Sequence, residues 1–191
     1  CGCPCFLPRL PKQAKSDFTP YIFTLEQIAS IFKAADEYRL YDVRMGTGLI
    51  AMPALLRLLY STGLRISEAL SIKNKDIHMD EHYIHIRMTK NGSERIVPLC
   101  ESMQRVLVDY IAHRNQMPLK GVSDNNSLLF VKSDGTGFRA NSVYQHLRKL
   151  LDKCGIHYKG NHHGPRVHDL RHTNAVHALV QMRHNGMDLY T

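Results

Sequence analysis

The chain has 191 residues, 43% of them hydrophobic, and carries 25 Lys and Arg against 17 Asp and Glu, a formal net charge of +8. That length accommodates one substantial domain with its own core, and the apolar content excludes a disordered chain. No apolar run reaches the ~20 residues of a membrane-spanning helix, and the basic excess points to a polyanionic partner, of which nucleic acid is the commonest.

Residues 1–20, with Pro4, Pro8, Pro11 and Pro20 among Arg9, Lys12 and Lys15, read as a basic linker, which leaves 21–191 as the folded domain. Cys1, Cys3 and Cys5 crowd the start, while Cys100 and Cys154 stand alone. Such spacing is no paired disulfide framework and fits a reduced, cytosolic compartment; no further ligand follows at finger-like spacing, so no metal is expected. The chain starts with Cys and not Met, which reads as a piece of a longer protein.

Thr24, with Glu26 and Gln27 in the first turn, caps a helix whose Leu25, Ile28, Ile31 and Phe32 fall at helical spacing. Pro53 to Tyr60 reads as a buried helix closed by a tight turn at Gly63, and a short helix follows from about Ile66 to Leu70. Tyr83–Arg87 and Arg95–Leu99 alternate like strands, and Asn91-Gly92 between them signals a hairpin. A helix from Glu101 to about Gln116, an extended apolar piece over 128–131, a helix capped by Asn141 and a last helix from about His168 to Asn185, stopped by Gly186, complete the chain. The fold class expected is mainly α with one small antiparallel sheet (α+β).

Two arginines stand out. Arg65 follows the tight turn at the start of a short helix, where Ser67 and Glu68 can hold the turn or position the guanidinium. Arg171 shares one face of the last helix with His168 and His172, at i, i+3 and i+4. That face lies in the first turns of the helix, where unpaired backbone N–H groups favour an anion. Two arginines and a histidine brought together suit a reacting phosphate; on each segment alone, a solvated polar face or a surface Arg–Glu pair explains the residues equally well. His168 and His172 have zinc-ligand spacing, but Asp169 stands where the hydrolytic motif needs Glu, and Arg171 would repel a dication. Lys90 precedes the hairpin turn, where a lysine can reach out to a substrate.

Gly63-Leu64-Arg65-x-Ser67-Glu68-x-Leu70, Thr89-Lys90-Asn91-Gly92 with Arg95-x-Val97-Pro98-Leu99, and His168-x-Leu170-Arg171-His172-Thr173 together resemble, in order, the boxes of the tyrosine recombinases of the phage-integrase family. Thr19-Pro20-Tyr21-x-Phe23-Thr24 resembles the entry to their catalytic domain, so the resemblance runs from about Phe18 to the end. It implies a tyrosine-recombinase catalytic-domain-like fold and cleavage and rejoining of double-stranded DNA through a 3′-phosphotyrosine, without metal or other cofactor. It further implies that Arg65 and Arg171 clamp the scissile phosphate, that Lys90 protonates the leaving 5′ oxygen, that His168 assists proton transfer, and that Glu68 and His172 support them. DNA contacts fall on Arg139, Asn141, Ser142 and Gln145 at a helix start, and on Arg166. Homotetramers on paired DNA sites and a bacterial cytoplasmic location are implied as well.

The family pattern continues into a Leu-Gly-His-like box and a nucleophilic tyrosine. Neither follows Arg171 here, and Tyr190 comes too soon after it, so the expectation is a catalytic domain incomplete at its C-terminus that binds DNA and cannot cleave it. Two other readings stand beside this one: a non-catalytic DNA-binding module of the same fold, and a type IB topoisomerase, whose chemistry is shared.

Overall fold

In the computed structural model, which describes residues 19–41, 50–87, 92–158, 160 and 164–187, the first helix, α1 (Leu25–Tyr41), opens on a reciprocal cap. The Thr24 hydroxyl accepts from the Gln27 amide at 3.2 Å, and the Gln27 side-chain oxygen accepts from the Thr24 amide at 3.0 Å. Ile28, Ile31 and Ala35 on one face of α1 enter the core. Cys1, Cys3, Cys5, Lys90, Asn91, His162, His163 and Tyr190 lie outside the described residues.

Helix α2 (Ala51–Thr62) is apolar nearly all round and occupies the centre, against α1, α4 (Glu101–Asn115) and α6 (Val167–His184). Leu55, Leu56, Leu58 and Leu59 are essentially inaccessible, and each contributes roughly 1.5–3 kcal/mol through burial. Pro53 is tolerated because it sits in the first turn, where its missing N–H has no helical partner to lose. The helix ends as the sequence suggests. Gly63 takes φ 62° and donates its amide to the Leu59 carbonyl at 3.1 Å. The left-handed φ is what favours glycine; a Cβ there would meet only the movable end of the Asn174 side chain of α6, at 2.8 Å.

After α3 (Ile66–Ser71) and a single 3-10 turn (Asn74–Asp76), three short strands form one antiparallel sheet in the order β1 (Ile77–His78), β2 (Tyr83–Ile86), β3 (Arg95–Pro98). In the β2–β3 pairing, Ile84 stands opposite Val97 and Ile86 opposite Arg95. Strand β1 has no counterpart among the sequence expectations, because two residues are too short for alternation to register; a turn through His82, at φ 61°, returns the chain to β2. The 128–131 piece makes isolated bridges, Lys73 with Leu128 and Val131 with Gly137, and adds Leu129 and Phe130 to the core. Arg114, 1% exposed, holds it by donating to the Leu129 carbonyl and to Asn74 Oδ1, both at 2.8 Å.

The N-cap of helix α5 (Ala140–Lys153) lies two residues before the expected one. Arg139 is its N-cap, and the Ser142 hydroxyl bonds the Arg139 carbonyl at 2.7 Å. Its Val143, Leu147, Leu150 and Leu151 are buried at helical spacing. Helix α6 is tied to the chain entrance by Thr173, fully buried, whose hydroxyl accepts from the Phe23 amide at 3.1 Å. Among the described residues no helix is long and apolar enough to cross a membrane.

Candidate phosphate-binding site

Arg65 is the N-cap of α3, extended at φ −70°, ψ 147°, directly after the left-handed turn at Gly63. That local geometry follows from the sequence: glycine permits the reversal, and Glu68, three residues on, returns to cap the next helix. One Glu68 oxygen accepts from the Arg65 amide at 2.9 Å, the other from the Arg65 Nη1 at 3.0 Å. Glu68 therefore both holds the turn and fixes the guanidinium. Its carboxylate is 1% exposed, and it also receives both terminal nitrogens of Arg95, at 3.0 and 2.8 Å. Burial alone would raise the Glu68 pKa, but the hydrogen bonds from Arg95 and then Arg65 outweigh it and hold the carboxyl at about 2.

Arg171 reaches the same place from α6. It is half-buried, and its Nη1 donates to the carbonyl of Gly63, the residue that makes the Arg65 turn. Asn174, one turn further along α6, donates to the Ser61 carbonyl at 3.4 Å. The two arginine segments, more than 100 residues apart in sequence, are thus brought together by direct side-chain-to-backbone contact. Arg65, Arg95 and Arg171 line one open pocket of about 270 Å³, with Val97 and Asn174 beside them. Of the five N–H donors on each guanidinium, the described contacts engage one at Arg65, two at Arg95 and one at Arg171, leaving several for an oxygen-rich anion.

Arg95 lies inside one of the sequence motifs, which assigns it no part in the site. The signal was present in the alternation of β3: Val97 faces the core, and a strand turns residues two apart to the same side, which sets Arg95 inward and Ile96 outward. Asn174 had no comparable signal, since its position depends on how α6 crosses α2.

His168 and His172 share a face of α6 as expected, with ring centroids 5.3 Å apart at 74°. His168, however, lines a second hollow of about 360 Å³ between α5 and the start of α6, with Arg166, Arg148 and Tyr158. Loss of solvent around the ring, followed by the positive neighbours His172 and Arg171, lowers the His168 pKa below its ordinary 6.5. A depressed value stabilises the fold above the unfolded pKa, and that contribution is lost as pH falls through the folded one. Followed by NMR, the His168 imidazole is expected to titrate with a midpoint below pH 6.5; a midpoint at or above that value would exclude the crowding described. Asp169, fully buried, caps α6 by accepting from the Arg166 amide at 2.9 Å.

Of the expected DNA-facing residues, Arg139, Asn141 and Gln145 are exposed at the start of α5, Ser142 is engaged with the backbone, and Arg166 is partly tied to Asp169. Among the described residues, no group of three or more His, Cys, Asp or Glu could hold a metal ion.

A model described as the phage integrase family matches residues 22–190. The tyrosine recombinase XerC of Chlamydia trachomatis is 31% identical over 184 residues, 96% of this chain and 50% of that protein. The tyrosine recombinase XerA of Saccharolobus solfataricus is 34% identical over 147 residues, 77% of this chain and 43% of that one. Among solved structures, a XerA recombinase superposes with a TM-score of 0.66 at 27% identity, over 90% of this chain and 53% of the other. The chain spans about half the length of the curated relatives it matches.

Proposed function

The chain belongs to the phage integrase family and has the fold of tyrosine-recombinase catalytic domains, and we propose that it is the DNA-binding catalytic domain of a site-specific recombinase or integrase. A tyrosine hydroxyl attacks a DNA phosphate, the 3′ side becomes a phosphotyrosine, the 5′ oxygen leaves as a hydroxyl, and a second strand's hydroxyl reverses the exchange. The observation that carries this reading is the single pocket shared by Arg65 and Arg171, with Arg171 bonded to the turn that presents Arg65. Permanently charged, bidentate donors suit the non-bridging oxygens, on which charge builds as the phosphate passes through its pentacovalent state.

The remaining roles belong to the same proposal. Lys90 is the general acid for the 5′ oxygen, and His168, whose pKa is lowered by burial and its positive neighbours, can accept or relay a proton. Glu68 and His172 support the arginines. Exposed Arg139, Asn141 and Gln145, with Ser142 and Arg166, meet duplex DNA, giving affinity that falls steeply with salt. A structure of lambda integrase, which has a similar fold, is a tetramer on a Holliday junction; assembly of the full-length protein as a homotetramer on paired sites, in a bacterial cytoplasm, is the corresponding expectation here. No metal or other cofactor is needed for the chemistry.

The test is a suicide substrate, a duplex nicked so that the freed end diffuses away after cleavage. The full-length protein from its complete reading frame is expected to form a covalent protein–DNA adduct resistant to denaturant, and a protein that binds the duplex without any adduct would favour the non-catalytic module. The 191-residue chain, run in parallel, is expected to bind the duplex, and failure to bind would count against the DNA-binding reading.

A further inference from the structure

Glu68 presents an electrostatic problem to the proposed pocket. It is a buried carboxylate 3.0 Å from the guanidinium of Arg65, where it would cancel much of the charge that a phosphate is meant to meet. Arg95 meets the same carboxylate with two parallel N–H contacts, at 3.0 and 2.8 Å, against one side-chain contact from Arg65. Among the groups that hold Glu68 ionised, the Arg95 side-chain bond is the largest contributor, ahead of either contact from Arg65. Arg95 comes from the sheet and Arg65 from the α2–α3 junction, so the carboxylate is also the point where those two parts of the fold are pinned together.

Resting on the phosphate-pocket reading above, we propose that Arg95 is a positioning residue: its bidentate grip on Glu68 satisfies that carboxylate and leaves the charge of Arg65 available to the substrate phosphate. Three guanidiniums and one carboxylate give the pocket a surplus of two positive charges. Without Arg95 the surplus falls to one, and the loss falls on Arg65, which becomes the sole side-chain partner of Glu68 among the contacts described. This separates a positioning role from direct phosphate contact. If Arg95 acts by balancing Glu68, removing the Glu68 charge repairs its loss. If Arg95 itself binds phosphate, that removal restores the charge balance but not the lost donors, and the recovery is only partial.

The experiment uses the 191-residue chain and inorganic phosphate, read by NMR at the Arg65 and Arg171 side-chain Nε–H resonances. Phosphate is expected to shift both in the parent chain. Arg95→Met is expected to weaken the phosphate dissociation constant read at Arg65 about tenfold, the equivalent of about 1.4 kcal/mol. Adding Glu68→Gln to that variant is expected to bring it back to within about threefold of the parent. Parent-like affinity in Arg95→Met, or a double variant as weak as the single one, overturns the proposal. Should Arg95→Met fail to fold, the double variant, in which both charges are gone, and Arg95→Lys, which keeps one contact, carry the comparison. Arg95→Lys is then expected to lie between the parent and the tenfold loss, and a double variant tenfold weaker than the parent overturns the proposal. If phosphate moves neither Arg65 nor Arg171 in the parent chain, it is the pocket reading that fails.

Discussion

Arg171→Ala in the full-length protein is expected to slow covalent trapping of a suicide substrate by about 10³-fold, with a much smaller change in duplex affinity. Removing one preorganised donor from a developing oxyanion costs on the order of 10²–10³ in rate, and arginines that neutralise a transferring phosphoryl group reach higher values. Arg171 stands at the upper end of the first range for a structural reason. Its Nη1 holds the Gly63 carbonyl, so alanine removes one jaw of the proposed clamp and also a contact to the turn that presents Arg65. Arg171→Lys keeps the charge and loses the planar fork, and should recover only a minor part of the rate. In the proposed complex DNA affinity would be spread over many phosphate contacts, so the loss of one should lower it only several-fold. Single-turnover trapping at saturating protein measures the rate separately from binding. Trapping by Arg171→Ala at the parent rate would remove Arg171 from the clamp.

How far the site could be read in advance differs residue by residue. Arg65 and Arg171 each lie in a short segment whose local structure is determined nearby: a glycine stop and a capping glutamate for one, a capped helix start for the other. Those signals are contained within a few residues, so they survive in the sequence. The helices of the core were legible for a similar reason, since Val143, Leu147, Leu150 and Leu151 recur at the helical period whatever they pack against. The departures come from features set by distant parts of the chain. Strand β1 exists because β2 is beside it, Arg139 takes the cap of α5 that Asn141 was expected to take, and Arg114 is buried because the 128–131 segment offers it a carbonyl. His168 shows the same limit. Its helical spacing from Arg171 was readable, but the hollow it lines is made by α5, which the spacing does not describe. Glu68 lies between these cases. A contact with Arg65 was foreseeable at three residues' separation, whereas the stronger grip by Arg95 depends on where β3 docks.

That double engagement makes Glu68 a polar position where a single change should cost the fold heavily. Glu68→Ala is expected to destabilise the domain by about 2 kcal/mol, because it removes a buried acceptor of several charged hydrogen bonds, while the part-exposed guanidiniums it leaves are screened by water. Here two guanidiniums are left facing each other across the vacated site, and the Arg65 amide loses its cap. Glu68→Gln should cost less, since an amide oxygen still accepts from the Arg65 amide at the N-cap. The pH dependence carries the same information. The carboxyl ionises at about 2 in the folded chain against an ordinary 4.5, so the stabilisation it provides is complete above the unfolded value and is lost as pH falls from about 4.5 towards 2. Urea midpoints measured from pH 7 down to pH 3 should therefore decline more steeply for the parent than for Glu68→Gln, with the two curves converging in acid. Parallel curves across that range would mean that the carboxylate is not held ionised by Arg95 and Arg65.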